Sequence, residues 1–247
     1  MKHIAIYCVS YESDRERDNY TASIRHAAER AKEKALIDIF VANNTPTNNP
    51  GYFGAIRQLM INNDPSNYDY VIISNVDVTV EENFFIKLAD YECSTTIGWV
   101  APQIWSELEQ RDRNPGVISR YTKRKLQIHK LFYKYPFLER LYIYTFYRSK
   151  KYQQHPEGDI YAGHGSFIIL TRQYFSLCGI INYPLFLYGE ELYLAECCRQ
   201  QQLRVVYFPS IKVYDNEHVS TGKMPSSTKC HYEYKAIQFI LNRYYSK

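Results

Sequence analysis

YDYVIISNVDVTV, residues 68–80, is the stretch whose reading decides the fold. Tyr70–Ser74 is a short apolar run with β-branched bias and no polar alternation, as expected of a strand buried on both faces. It runs directly into the polar Asn75-Val76-Asp77. Glu81–Leu88 then reads as a helix with acids in its first turn, where the helix dipole favours them. Working outward, Ile4–Val9 reads as a strand, Tyr20–Lys34 as a helix and Ala35–Val41 as a strand ending in the polar turn Asn43–Asn49. Phe53–Ile61 reads as a helix and Asp64–Tyr68 as a turn. Downstream, Ile97–Ala101, Ser166–Leu170 and Arg204–Phe208 read as strands. Thr171–Leu177, Glu190–Gln201 and a closing Lys229–Tyr245 read as helices. This alternation predicts an α/β fold: a Rossmann-like, mostly parallel sheet sandwiched by helices.

Composition bounds the rest. The chain has 247 residues, 45% hydrophobic and 23% charged, which predicts one globular domain over 1–247 and excludes a disordered or fibrous chain. The 25 Tyr residues suit wet clefts as well as cores. The six cysteines include no C-x-x-C pair, so no zinc spacing is present. The opening MKHIAIYCVS is too short for a signal peptide, and no uncharged apolar run reaches membrane-spanning length. These features read as a reduced, cytoplasmic chain. The net charge of +4 is unevenly spread: Arg111–Lys151 holds 12 Lys/Arg against 2 acids, leaving 18 basic and 24 acidic residues elsewhere. A basic, aromatic-rich insertion over 105–160 therefore interrupts an acidic body. Within it Lys123–Phe146 can be helical on both sides of Pro136.

Ligands of open α/β sheets gather at the carboxyl ends of strands. Three predicted strands end in informative residues: Ser10-Tyr11-Glu12, Asn43-Asn44-Thr45 and Asn75-Val76-Asp77. Asp77, just past a buried strand, can hold a hard divalent cation beside a diphosphate. It can equally be a turn Asp before the next helix. In YPLFLYGEEL, Tyr183 to Leu192, an aromatic approach ends in Gly189 and the adjacent Glu190 and Glu191. A carboxylate in such a cleft can act as a general base, and it can also simply compensate a helix dipole. Asp215, Glu217 and His218 fall in a polar loop after the last strand. Gly163-His164-Gly165-Ser166 lets a backbone approach a ligand closely. It is neither a dinucleotide fingerprint nor a P-loop.

In this order the chain resembles family 2 glycosyltransferases, inverting nucleotide-sugar enzymes of the GT-A fold, in the branch that builds bacterial surface polysaccharides. The matching stretches are VANNT (41–45), NNPGYFGAIRQ (48–58), YDYVIISNVDVTV (68–80), GSFIILTRQYF (165–175), FLYGEEL (186–192) and VYFPSIKVYDNEHVSTGK (205–223). The resemblance implies that Asn75 and Asp77 occupy the D-x-D-type motif, with Asp77 binding a divalent cation, Mg²⁺ or Mn²⁺. It implies Glu191 as catalytic base, with Glu190 its acidic neighbour. It places His218 or Asp215 at the C-terminal metal or phosphate position, Asn43 near the nucleobase, Tyr11 in the base pocket and Arg57 near the donor. The sequence departs from the pattern at Asn75, where the family has a carboxylate, and at Glu191, where it usually has Asp.

The expected function is transfer of a sugar from a nucleotide donor, a UDP- or dTDP-sugar, to a glycan or polyprenyl-linked acceptor in bacterial cell-surface polysaccharide synthesis. The alternative is a non-catalytic nucleotide-sugar or glycan-binding protein with the same fold. Residues 111–151 read as a patch for an anionic membrane, placing the protein at the inner face of the plasma membrane. They read equally as a solvated basic helical pair. No nucleic-acid module signature is present, so no nucleic-acid partner is expected.

Overall fold

A computed structural model describes residues 1–137, 154–215 and 225–246. Its first strand, β1 (Lys2–Tyr11), alternates between two buried faces. Ile4, Ile6 and Cys8 join one core, and Ala5 and Tyr7 the other. Burial on both sides is why the strand reads as a continuous apolar run. Helix α1 (Asp14–Arg30) buries Tyr20, Ile24 and Ala27, the i, i+4, i+7 stripe of an amphipathic helix. β2 (Ala35–Asn44) then pairs parallel to β1, followed by α2 (Tyr52–Asn62) and β3 (Tyr70–Asn75), which pairs parallel to β1 on its other side.

After β3 come β4 (Val78–Val80), α3 (Phe84–Asp90), β5 (Ile97–Ser106), β6 (Arg111–Asp112) and α4 (Lys123–Lys134). They are followed by β7 (Gly158–Ile160), β8 (Phe167–Thr171), α5 (Arg172–Cys178), α6 (Glu190–Gln200), β9 (Arg204–Asp215) and α7 (Ser226–Tyr244). One nine-stranded sheet runs β2-β1-β3-β8-β5-β9-β4, with β6 on β5 and β7 on β9. α1 and α3 supply one core. α2, α5, α6 and α7 supply the other, with Leu126 of α4.

The α/β layering matches the sequence reading. The expectation of a mostly parallel sheet holds for β2-β1-β3 and again for the β5-β9 pair, but not for the sheet as a whole. Beyond β3 the sheet is mixed: β8 runs antiparallel to both β3 and β5, while β5 and β9 are parallel. β8 follows a connection of about sixty residues after β5 that includes β6, α4 and β7, so no short crossover fixes its direction. Several strands outrun their apolar cores: β5 extends to Ser106 and β9 to Asp215. The helix expected from Glu81 starts at Phe84, because Val78–Val80 pair with Val213–Asp215 of β9 instead. The expected closing helix begins three residues early, at Ser226.

The basic segment is woven into the body. Its first residues form β6 on β5, and α4 packs against α7. The second half of the expected helical pair, from residue 138 to 153, lies outside the described residues.

Candidate active site

A cleft of about 450 Å³ opens at the carboxyl ends of β1 and β3 and the N-terminus of α6. Tyr11, Asn75, Asp77, Glu190 and Glu191 all line it. Strand pairing explains part of the convergence. Val78, next to Asp77, is opposite Asp215 of β9, and Asp215 is also opposite Ser106 of β5. Ser106 pairs in turn with Arg111 of β6. Arg113, two residues on, is thereby delivered to Asp215, and its Nη1 donates to Oδ2 at 2.9 Å. Arg113 is 14% and Asp215 3% exposed, so this is a buried ion pair in the cleft wall.

The two glutamates differ. Glu191 Oε1 accepts from the Gly165 backbone N–H at 3.1 Å. A Cβ at Gly165 would lie 2.5 Å from that oxygen, so any side chain here would displace the carboxylate. The close approach foreseen for this glycine is thus made to a carboxylate of the chain itself. Glu190 is 5% exposed, and its Oε1 has no hydrogen-bond partner among the described residues. Burial, reinforced by the charge of Glu191, pushes the Glu190 pKa up to about 8. Burial also raises Glu191. Desolvation therefore outweighs the α6 dipole, which would lower both. Two adjacent buried carboxylates, both raised, favour sharing a proton over carrying two full charges.

The approach to α6 is conformationally specified. Tyr188 has φ +68° and Gly189 φ +83°. The Tyr183 hydroxyl donates to the Tyr188 carbonyl at 2.5 Å. Below it, Gly51 (φ +84°) begins α2 against the Phe186 carbonyl, which accepts from Tyr52 N at 3.2 Å. The Tyr52 hydroxyl donates to the Gly165 carbonyl at 3.3 Å. The loop bearing Glu190 and Glu191 is so tied to α2 and to the 163–166 turn.

Other expected site residues fall elsewhere. Asn43 is exposed and does not line the cleft; its neighbour Asn44 does, since successive strand residues face opposite ways. Arg57 is exposed on α2, opposite the buried Phe53, Ile56 and Met60, and does not line the cleft. His218 lies outside the described residues. Sequence reasoning missed Arg113 and Tyr52 as cleft residues. Arg113 was hidden among the charges of the basic segment. His164, seen only as part of a glycine turn, also lines the cleft. Burial, followed by repulsion from Arg113, pushes its pKa down to about 4, so its imidazole is neutral.

Asp77 offers a hard oxygen donor, and Asn75 a neutral one. Among the described residues no group of three or more His, Cys, Asp or Glu is arranged to hold a metal. The residues present fit a cation that takes one carboxylate here and the rest of its shell from substrate phosphates, as Mg²⁺ commonly does.

No family model and no curated protein matches the sequence. Solved structures do share the fold. The catalytic domain of Drosophila β1,4-galactosyltransferase 7 in complex with xylobiose is 12% identical at TM-score 0.51, covering 84% of this chain and 65% of that one. GalNAc-T7 with UDP, GalNAc and Mn²⁺ is 12% identical at TM-score 0.56, covering 91% of this chain and 45% of that one. This chain therefore spans less than two thirds of those structures. The fold is that of GT-A glycosyltransferases.

Proposed function

We propose that this protein transfers a glycosyl group from a nucleotide-sugar donor to an acceptor hydroxyl. The observation that carries the reading is the convergence of Asn75, Asp77, Glu190 and Glu191 on one cleft of a GT-A fold. The similar structures support it, since one contains UDP, GalNAc and Mn²⁺ and another manganese, UDP-Gal and xylobiose.

In this reading Glu191, oriented by Gly165 N–H, takes the proton from the acceptor hydroxyl. The acceptor oxygen forms the new bond to the anomeric carbon as the bond to the diphosphate oxygen breaks. One displacement inverts that centre. Neutral Glu190 adds no second negative charge beside the base. The Arg113 guanidinium gives the cleft wall a fixed cation, while its pairing with Asp215 limits that carboxylate's role as a metal ligand. Asp77 would hold Mg²⁺ or Mn²⁺, which when bound supplies Lewis-acid neutralisation of the leaving diphosphate.

The family 2 resemblance extends the proposal to a UDP- or dTDP-sugar donor and a glycan or polyprenyl-linked acceptor in bacterial surface-polysaccharide synthesis. The basic, aromatic composition of 111–151 extends the proposal to a cytoplasmic protein docked on the inner membrane face through that segment.

The test is a thermal-shift and calorimetric screen against UDP, GDP, dTDP and CMP with and without Mn²⁺, followed by turnover. One nucleotide should stabilise the protein in a metal-dependent manner, and Asp77→Ala should abolish that dependence. Glu191→Gln should keep nucleotide affinity and lose about 10²–10⁴-fold in kcat. A folded protein that binds no nucleotide would sink the proposal.

A further inference from the structure

A second cavity of about 410 Å³ lies between α4, α6 and α7. It shares His164, Tyr188 and Glu191 with the first cavity, whereas Glu190 lines only the first. Glu191 thus stands at the junction of two pockets. Resting on the transferase reading, we infer that this second cavity receives the acceptor, and that it selects a neutral pyranose as the acceptor's terminal unit.

The position follows from what a base requires. An acceptor hydroxyl must come within hydrogen-bond reach of Glu191 while its oxygen faces the anomeric carbon. A sugar in the second cavity meets the same carboxylate as a donor held in the first.

The class of ligand follows from the lining. Tyr121, His129, Tyr133 and Tyr188 contribute rings with polar tips, above an apolar floor that includes Leu126 and Ile237. A pyranose has the complementary surface: an apolar C–H face bounded by hydroxyls. Among the described residues no Lys or Arg lines the cavity, and its carboxylates are Glu191 and Glu233. A phosphate or uronate group would be repelled by the Glu191 carboxylate that the proposed reaction needs ionised, whereas a neutral sugar would not. Two cations of α4 lie over tyrosine rings: Lys125 Nζ sits 4.1 Å from the Tyr121 ring centroid and Lys130 Nζ 5.3 Å from that of Tyr234. His129 packs edge-on to Tyr121, with ring centroids 5.6 Å apart. Burial and Lys125 lower its pKa, so it presents a neutral donor and acceptor rather than a cation.

The experiment is saturation-transfer NMR and calorimetry on the full chain with the methyl glycosides of glucose, galactose, N-acetylglucosamine, xylose and glucuronic acid. Each is measured with and without UDP. At least one neutral glycoside should bind, with the glucuronide about tenfold weaker or worse. Tyr121→Ala and Tyr133→Ala should each weaken that binding about tenfold, on the scale of one lost aromatic contact. Tyr133→Phe should retain it, and UDP affinity should not move in any variant. Thermal unfolding of each variant verifies that it is folded.

Glycoside binding indifferent to Tyr121 and Tyr133, tighter binding of the glucuronide, or no neutral glycoside bound at millimolar concentration would each overturn the inference. If nucleotide binding and turnover are intact in that case, only the acceptor cavity is lost. If glycosides bind as expected but no nucleotide does, the cavity stands and the transferase reading falls.

Discussion

Gly165 shows how narrowly Glu191 is positioned, because its missing side chain is the space that the Glu191 carboxylate fills. Gly165→Ala should leave the strand that follows intact and displace that carboxylate. Since misplacing a reacting group by about 1 Å can cost about 10²-fold, kcat should fall on that scale while nucleotide affinity holds. Circular dichroism and steady-state kinetics check both halves. Glu190 permits a test of sign. Its folded pKa of about 8 lies above the ordinary 4.5. The native state therefore binds more protons than the unfolded chain between those values, and stability falls as pH rises through them. Glu190→Gln removes this cost. The variant should melt higher than the parent at pH above 8, by roughly 2–4 °C per kcal/mol relieved, and the gap should close as pH drops toward 4.5. A pH series of melting curves reads it, and a gap that grows on acidification would contradict the assignment. With Glu191 as the proposed base, its raised pKa should place the acidic limb of the kcat profile above the usual carboxylate range, which a pH–rate series reads.

Two elements of the basic segment have separate jobs. Helix α4 turns Leu126, His129 and Tyr133 toward α7 and the second cavity. Its opposite stripe, Ile128, Leu131 and Tyr135, is 44%, 47% and 41% exposed. Both sets follow the same i, i+3, i+7 spacing, Tyr135 being the C-cap, and their offset of two residues, about 200° around the axis, puts them on two faces of one helix. Ahead of α4, Arg120 ties the segment to α6 through Glu196, which is fully buried. Arg120 Nε donates to Glu196 Oε1 at 2.6 Å, Arg199 Nε to Oε2 at 2.7 Å, and the Tyr161 hydroxyl to Oε1 at 2.6 Å. These partners hold the Glu196 carboxyl below its usual range despite burial. Glu196→Ala should cost about 1.5–3 kcal/mol, since the half-exposed arginines can rehydrate and limit the loss. Urea unfolding measures it. Acceptor binding should weaken too, because the α4 wall of the second cavity loses its tie to α6.

For the whole molecule, the question is how it meets a surface. No described helix is long and apolar enough to cross a membrane. The exposed apolar stripe of α4, flanked by Arg124 and Lys134, suits the surface of an anionic bilayer. The protein should co-sediment with phosphatidylserine vesicles, ignore phosphatidylcholine vesicles, and release as salt rises. Ile128→Glu with Leu131→Glu should abolish binding, and binding unaffected by salt and by these changes would contradict membrane docking. The α/β class and most element positions were legible in the chain, because strands buried on both faces must be apolar throughout and helices must carry a periodic stripe. Asn75, Asp77, Glu190 and Glu191 were legible as cleft residues for a related reason: polar groups directly after a buried strand, or opening a helix after an aromatic approach, have few other places to go. Local pattern does not carry side-chain phase at a strand end, so Asn43 rather than Asn44 was read into the cleft. Helical phase likewise turned Arg57 to solvent. Arg113 reached the cleft through the pairing of β6, β5 and β9, partners more than a hundred residues apart. The sequence by itself determined the class of fold and the acids at its carboxyl edge, because burial and periodicity are local constraints. Only the tertiary structure decided the mixed strand order, the Arg113–Asp215 pair and the second cavity at Glu191, because each is a contact between segments whose registers are set by long-range pairing.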